Sequence, residues 1–175
     1  MKIGSVLLIV FLIAVAVIFI YVTVKVNSLE QKSRDKSSEI DGSLWDRAFQ
    51  LSKIVELLNN KGIEHTIEML DVNTFGLSMS ATLQATYSEK IDVQDVALRE
   101  LMKEHKELLD DPEFMNHVEK FNAARNELFR ASVAYNKATN EFNSSISGFP
   151  SGWVAAFHKK SSRNIFGYYF RNLDD

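Results

Sequence analysis

Between Lys2 and Lys25 the chain carries no charge: residues 3–24 read IGSVLLIVFLIAVAVIFIYVTV. As a helix rising 1.5 Å per residue, this run reaches roughly 33 Å, enough to cross a hydrocarbon core with slight tilt. Backbone in lipid must satisfy its own N–H and C=O groups, and a single segment does so only as a helix. The run is apolar on every face, unlike the one-sided stripe of a helix that packs on a soluble core. Ala14-Val15-Ala16 resembles a signal-peptide cleavage site, but Val17–Val22 continues the apolar stretch beyond the point where a cleaved leader ends it. The expectation is a transmembrane anchor over residues 1–26, in contact with the lipid bilayer through Ile3–Val24. Tyr21 suits the interfacial aromatic belt. Lys25, Lys32, Arg34 and Lys36 follow the span, against Lys2 alone before it. The positive-inside rule therefore places the rest of the chain in the cytoplasm.

The remainder, residues 27–175, is long enough to bury a core as one soluble domain. The chain has no cysteine, which excludes disulfides, thiol catalysis and thiolate metal sites. A net charge of −3 gives none of the concentrated basic footprint that nucleic-acid binding requires.

Residues 27–41 are polar and charge-rich, a linker or the exposed start of a helix. From there Leu44, Ala48, Leu51, Val55 and Leu58 recur at steps of four and three, a helical stripe that Trp45, Phe49 and Ile54 widen. Asn59, Asn60 and Gly62 supply its stop. Residues 63–88 are ambiguous. Ile63, His65, Ile67 and Met69 alternate with polar residues, as do Leu77, Met79, Ala81, Leu83, Ala85 and Tyr87, and residues 73–76 can turn the chain between them. A small hairpin is one solution; a helix is the other, because Ala, Leu, Gln and Met are good helix formers.

Helical spacing returns with Val93, Ala97, Leu101 and Leu108. Asp111-Pro112-Glu113 then marks a helix start, with an N-cap acid, proline in the first turn and an acid near the positive end of the dipole. The helix that follows is expected to be the longest of the soluble part, reaching about Ile146 before Gly148 and Pro150 end it. Phe121, Leu128, Tyr135 and Phe142 recur every seven residues, each followed three residues later by Ala124, Ala131, Ala138 or Ser145. Large and small rows side by side admit a close neighbouring helix, either a coiled-coil partner or, as preferred here, the bundle's own helices. The tail holds Trp153, Phe157, His158, Lys159, Lys160, Arg163, Phe166, Tyr168, Tyr169, Phe170 and Arg171. Such residues suit either a lipid interface or docking of the aromatics on the bundle, and docking is the reading preferred.

Tyr135-Asn136, Phe142-Asn143, Ile146 and Phe149-Pro150 together resemble the C-terminal signature of the LemA family, with its spacing kept. Val26-Asn27-Ser28-Leu29 is similar to that family's YNxL after the span, and Ile40-Asp41, Leu44 and Arg47 to its IDVxLxxR element. Leu51, Ile54 and Val55, then Glu64-His65, and Asp111-Pro112 with Phe114 follow in the family's order. Ser52 stands where the family has a helix proline, and Asp111 where it has tyrosine. The resemblance implies a divergent LemA-like protein of bacteria or their viruses. It implies a bundle on an N-terminal anchor in the bacterial plasma membrane, and no established enzymatic activity.

The fold class read from the sequence is therefore mainly all-α, an N-terminal transmembrane helix followed by an antiparallel helical bundle. No catalytic, cofactor or metal residues are assigned. The histidines are His65, His105, His117 and His158. Only Glu113 and His117 pair at i, i+4, and no Glu-x-x-His pairs or HExxH, GxSxG or phosphate-loop motifs occur. Glu104, Glu107, Asp110 and Asp111 read as a solvated helix end. These features point away from an enzyme and towards a membrane-tethered scaffold or adaptor with a protein partner. The alternative is a self-assembling, membrane-active or envelope-remodelling protein, homo-oligomeric through the small-residue seam.

Overall fold

The structure, a computed structural model, describes residues 3–71 and 79–168. It is all-α: α1 (Ile3–Asn60), α2 (Ala81–Glu104), a 3-10 turn (Lys106–Asp110), α3 (Pro112–Ser147) and the short α4 (Ser151–Phe157). No strand occurs among the described residues.

α1 runs 58 residues without a break. Residues 27–41 are helix and not a linker, because neither proline nor glycine falls between Ser5 and Asp41 and the charges pair along the helix, as in Arg34–Glu30 at 2.7 Å. The predicted stop holds. Gly62 takes φ 68°, the left-handed region that glycine enters freely, while Gly62 N–H bonds Asn59 O (3.0 Å) and Ile63 N–H bonds Leu58 O (3.0 Å).

The hairpin considered for 63–88 does not form among the described residues. Residues 63–71 have no regular structure, the turn at 73–76 and Leu77 lie outside the described residues, and α2 occupies 81–88. The helix wins for two local reasons. Ser80 caps it, its Oγ accepting from Leu83 N–H at 3.2 Å, and the residues buried at its start (Ala81, Gln84, Ser88, Ile91) are spaced by three and four. α3 begins at Pro112 with the carboxylate of Asp111 accepting from Glu113 N–H (2.9 Å) and Phe114 N–H (3.0 Å), the cap predicted from the triplet.

The chain divides into two compact units, Met1–Arg34 with Asn136–Arg163, and Asp35–Tyr135 with Asn164–Asp175. In the second, α1 and α3 are antiparallel, since Gln50 meets His117 and Lys61 meets Asp111. α2 runs parallel to α1: Asp41 meets Gln84, and Arg47 meets Asp92. The antiparallel order thus holds for α1 with α3, whereas α2 starts alongside the middle of α1 and runs in its direction. The core comprises Leu44, Ala48, Leu51, Val55 and Leu58 of α1 together with Ile91, Leu98, Phe121, Leu128 and Tyr135. Each such large apolar side chain contributes about 1.5–3 kcal/mol by leaving water. Trp45 does not widen this stripe as expected. It is 40% exposed and lies flat on Phe49, ring centroids 5.0 Å apart. Val93 also misses the core, at 63% exposed.

In the first unit α1 and α3 are again antiparallel, with Ser33 bonded to Thr139 (2.8 Å) and Lys32 to Glu141 (2.7 Å). Val22, Val26, Phe142 and Val154 make its core, with Leu29 and Ile146 packed against them. Residues 3–21 of α1 are exposed on every face, and this part of the helix is long and apolar enough to cross a membrane.

Candidate functional site

The face that α2 presents to α1 is polar. Its buried residues include Gln84, Ser88, Asp92 and Asp95, opposite buried Ser37, Asp41 and Arg47 of α1. The Gln84 amide nitrogen donates to Ser37 O (3.0 Å), Ser37 Oγ (3.1 Å) and an Asp41 carboxylate oxygen (2.7 Å). Arg47, fully buried, donates through Nη1 to Asp92 (2.9 Å) and reaches Asp95 through Nη2 (3.5 Å). Its guanidinium carbon lies 4.8 Å from the centroid of the Phe121 ring, a cation–π contact. Arg99 Nε donates to Asp95 at 2.9 Å, and the Tyr168 hydroxyl bonds Asp92. Burial lowers the pKa of Arg47, and Asp92 and Asp95 oppose that shift. The cluster uses its charges on one another, which suits it to fixing helix register.

This seam was not recognised in the sequence, although a signal for it exists. Gln84, Ser88 and Asp92 recur every four residues, as do Ser37 and Asp41, so the polar rows share the period of a buried stripe. Reading only apolar residues led instead to Val93 and Ala97.

The large row of α3, Phe121, Leu128, Tyr135 and Phe142, is buried, and so are Ala124, Ala131 and Ala138 of the small row. Intramolecular packing therefore occupies the seam. The paired asparagine and tyrosine positions of this helix hold the tail. Asn143 clasps the backbone of Arg163, donating from Nδ2 to its O and accepting from its N–H, both at 2.8 Å. The Tyr135 hydroxyl donates to Asn164 O at 2.6 Å. The tail's aromatics divide in consequence. Phe166 is buried and Tyr168 packs against the core, as expected of docking, but Trp153 and Phe157 stay exposed. Tyr169, Phe170 and Arg171 lie outside the described residues.

The histidines do not converge. His65 bonds Asn59, His105 bonds Glu107, His117 bonds Gln50 rather than Glu113, and His158 approaches Thr23 at 3.4 Å. Among the described residues no group of three or more acidic or histidine side chains is arranged to hold a metal ion. Asp111 belongs to the cap of α3 and pairs with Lys61. Hydrogen bonding to Lys61, then to the Phe114 amide, holds its carboxyl below its ordinary pKa.

Compared with protein-family models, curated proteins and solved structures, the chain matches none of them.

Proposed function

We propose that the protein is a single-pass membrane anchor carrying a helical adaptor, without catalytic activity, that binds another protein beside the bilayer. The observation that carries this reading is the change of character along α1. The same unbroken helix is bare, apolar and uncharged through residues 3–21, and from Ile40 onward buries one stripe in a core. Lipid contact through Ile3–Val24 satisfies the first part. The basic residues after the span, joined by Lys159 and Lys160 of the same compact unit, favour a cytoplasmic face. A protein partner is supported by the Trp45–Phe49 stack, with Lys53 Nζ 5.9 Å from the Phe49 ring centroid. Exposed tryptophan backed by a rigid neighbour is the kind of side chain that dominates protein interfaces.

Membership of the LemA family, in bacteria or their viruses, is part of the proposal. It is supported by the burial of Ile40, Asp41, Leu44 and Arg47 and by the tail-holding roles of Tyr135 and Asn143. Self-assembly through the small-residue seam is disfavoured, since that seam is buried in the chain's own core.

Crosslinking the full-length protein in its native membrane, with mass spectrometry of the adducts, tests the adaptor reading. The expected result is one recurrent foreign protein joined near Trp45. Adducts only between copies of this chain would overturn it.

A further inference from the structure

Trp153 and Phe157 are four apart and share one face of α4, and Phe149, in the turn before the helix, adjoins them through Trp153. The opposite face, Val154 and Ala155, is buried, while the aromatic row is 78%, 76% and 72% exposed. The Phe149 and Trp153 rings meet edge to face at 5.2 Å. Three large exposed aromatics in a row form the type of apolar patch that soluble surfaces avoid.

The location of the row identifies what covers it. Ser33 pairs with Thr139 in the antiparallel contact of α1 and α3. Lys25 lies eight residues before Ser33, and Ser147, the last residue of α3, eight residues after Thr139. Each step is about 12 Å along its helix, so α3 ends level with Lys25, where the uncharged run of α1 stops. α4 starts past that level. Phe157 then meets Phe19, inside the bare apolar part of α1, at a centroid distance of 5.6 Å, and Lys160 returns to pair with Glu30. The chain therefore dips towards the apolar segment and climbs back, with Phe157 at the low point. Lys25, at the level where α3 ends, and Lys159, two residues after Phe157, are both exposed.

We infer that Phe149, Trp153 and Phe157 insert into the interfacial zone of the bilayer, making α4 a second lipid contact beside the anchor. The inference rests on the reading that Ile3–Val24 crosses that bilayer. Rings that are apolar across their faces and polar at one edge, as in tryptophan, partition to this zone. Lys25 and Lys159 meet the phosphates of anionic headgroups there. Two contacts instead of one fix the rotation of α1 about its own axis as well as its depth.

The sequence has two tryptophans, so Trp45→Phe leaves Trp153 as the only tryptophan reporter. The full-length variant is reconstituted in phosphatidylcholine–phosphatidylglycerol vesicles brominated either near the headgroup end of the acyl chains or near their terminal methyls. Circular dichroism matching the parent checks folding, and Trp45→Tyr replaces Trp45→Phe if it does not match. The expected result is blue-shifted Trp153 emission, quenched most by the shallow bromines. A control chain with Trp45→Phe, Trp153→Phe and Phe11→Trp reports the span and should be quenched most by the deep bromines. Unquenched or water-like Trp153 emission beside a deeply quenched control overturns the α4 contact and leaves the span standing. Trp153 quenched most by the deep bromines overturns the interfacial placement, and an unquenched control overturns both readings.

Discussion

At the scale of single residues, Arg47 is the position on which most depends. Its guanidinium has no access to water and answers two aspartates that are themselves buried. Replacing it by methionine keeps much of the volume but leaves Asp92 and Asp95 charged without their central partner, and breaking a buried pair from one side costs about 3–5 kcal/mol. Arg47→Met should lower the unfolding free energy of the detergent-solubilised chain by that amount in a denaturant titration followed by circular dichroism. A loss below about 1 kcal/mol, the range of an exposed pair, would mean that the cluster is solvated. Asp111 makes a second prediction at this scale. Hydrogen bonds to Lys61 and the first α3 amides lower its folded pKa, so its ionised form stabilises the native state. That contribution is complete above the unfolded-state pKa and is lost as pH falls through the folded value. Thermal melts of the parent and Asp111→Asn should therefore differ at neutral pH and converge on acidification. A constant difference down to low pH would show that the cap does not act through its charge.

At the scale of elements, local signals set the ends of helices well. Gly62 closes α1, Ser80 opens α2, and Asp111-Pro112 opens α3. Ser80→Ala removes the hydroxyl that accepts from Leu83 N–H and is expected to destabilise the protein by about 1 kcal/mol in the same titration. An unchanged midpoint would mean that water replaces the cap without loss. The alternating pattern at 77–87 left strand and helix open because period two and the helical face share residues such as Ala81. What decides between them is the row Gln84, Ser88, Asp92, buried on the helical period, in which Gln84 finds Ser37 and Asp41 and Asp92 finds Arg47. Leu128, at the buried heptad row of α3, is an ordinary core position, and Leu128→Ala should cost about 2–5 kcal/mol.

At the scale of the whole molecule, the bare apolar part of α1 predicts behaviour independent of any partner. The full chain should remain with membranes after alkaline carbonate extraction, and the chain lacking residues 3–24 should be released into the supernatant. Release of the full chain would remove the anchor reading. Retention of the shortened chain would point to α4 as a contact strong enough to act alone. Replacing Glu30 by glutamine should leave extraction unchanged, because its lowered pKa reflects burial outweighed by hydrogen bonds to Lys160 and Arg34, a contact within the folded unit.

The sequence by itself determined whatever depends on neighbours a few residues away or on solvent as a whole. An uncharged run of this length has few states open to it, helix ends follow from caps and glycine, and a seven-residue repeat of Phe, Leu and Tyr has one face to bury. Only the tertiary structure decided which helix meets which. It set α2 parallel to α1, buried a polar row against Arg47, and consumed the small-residue seam internally. It also left Trp153 and Phe157 exposed while Phe166 and Tyr168 docked. The physical reason is that these buried polar groups find their partners tens of residues away, as Gln84 does at Asp41 and Asp92 at Arg47. Until the chain folds, a buried aspartate and a solvated one are written with the same letter.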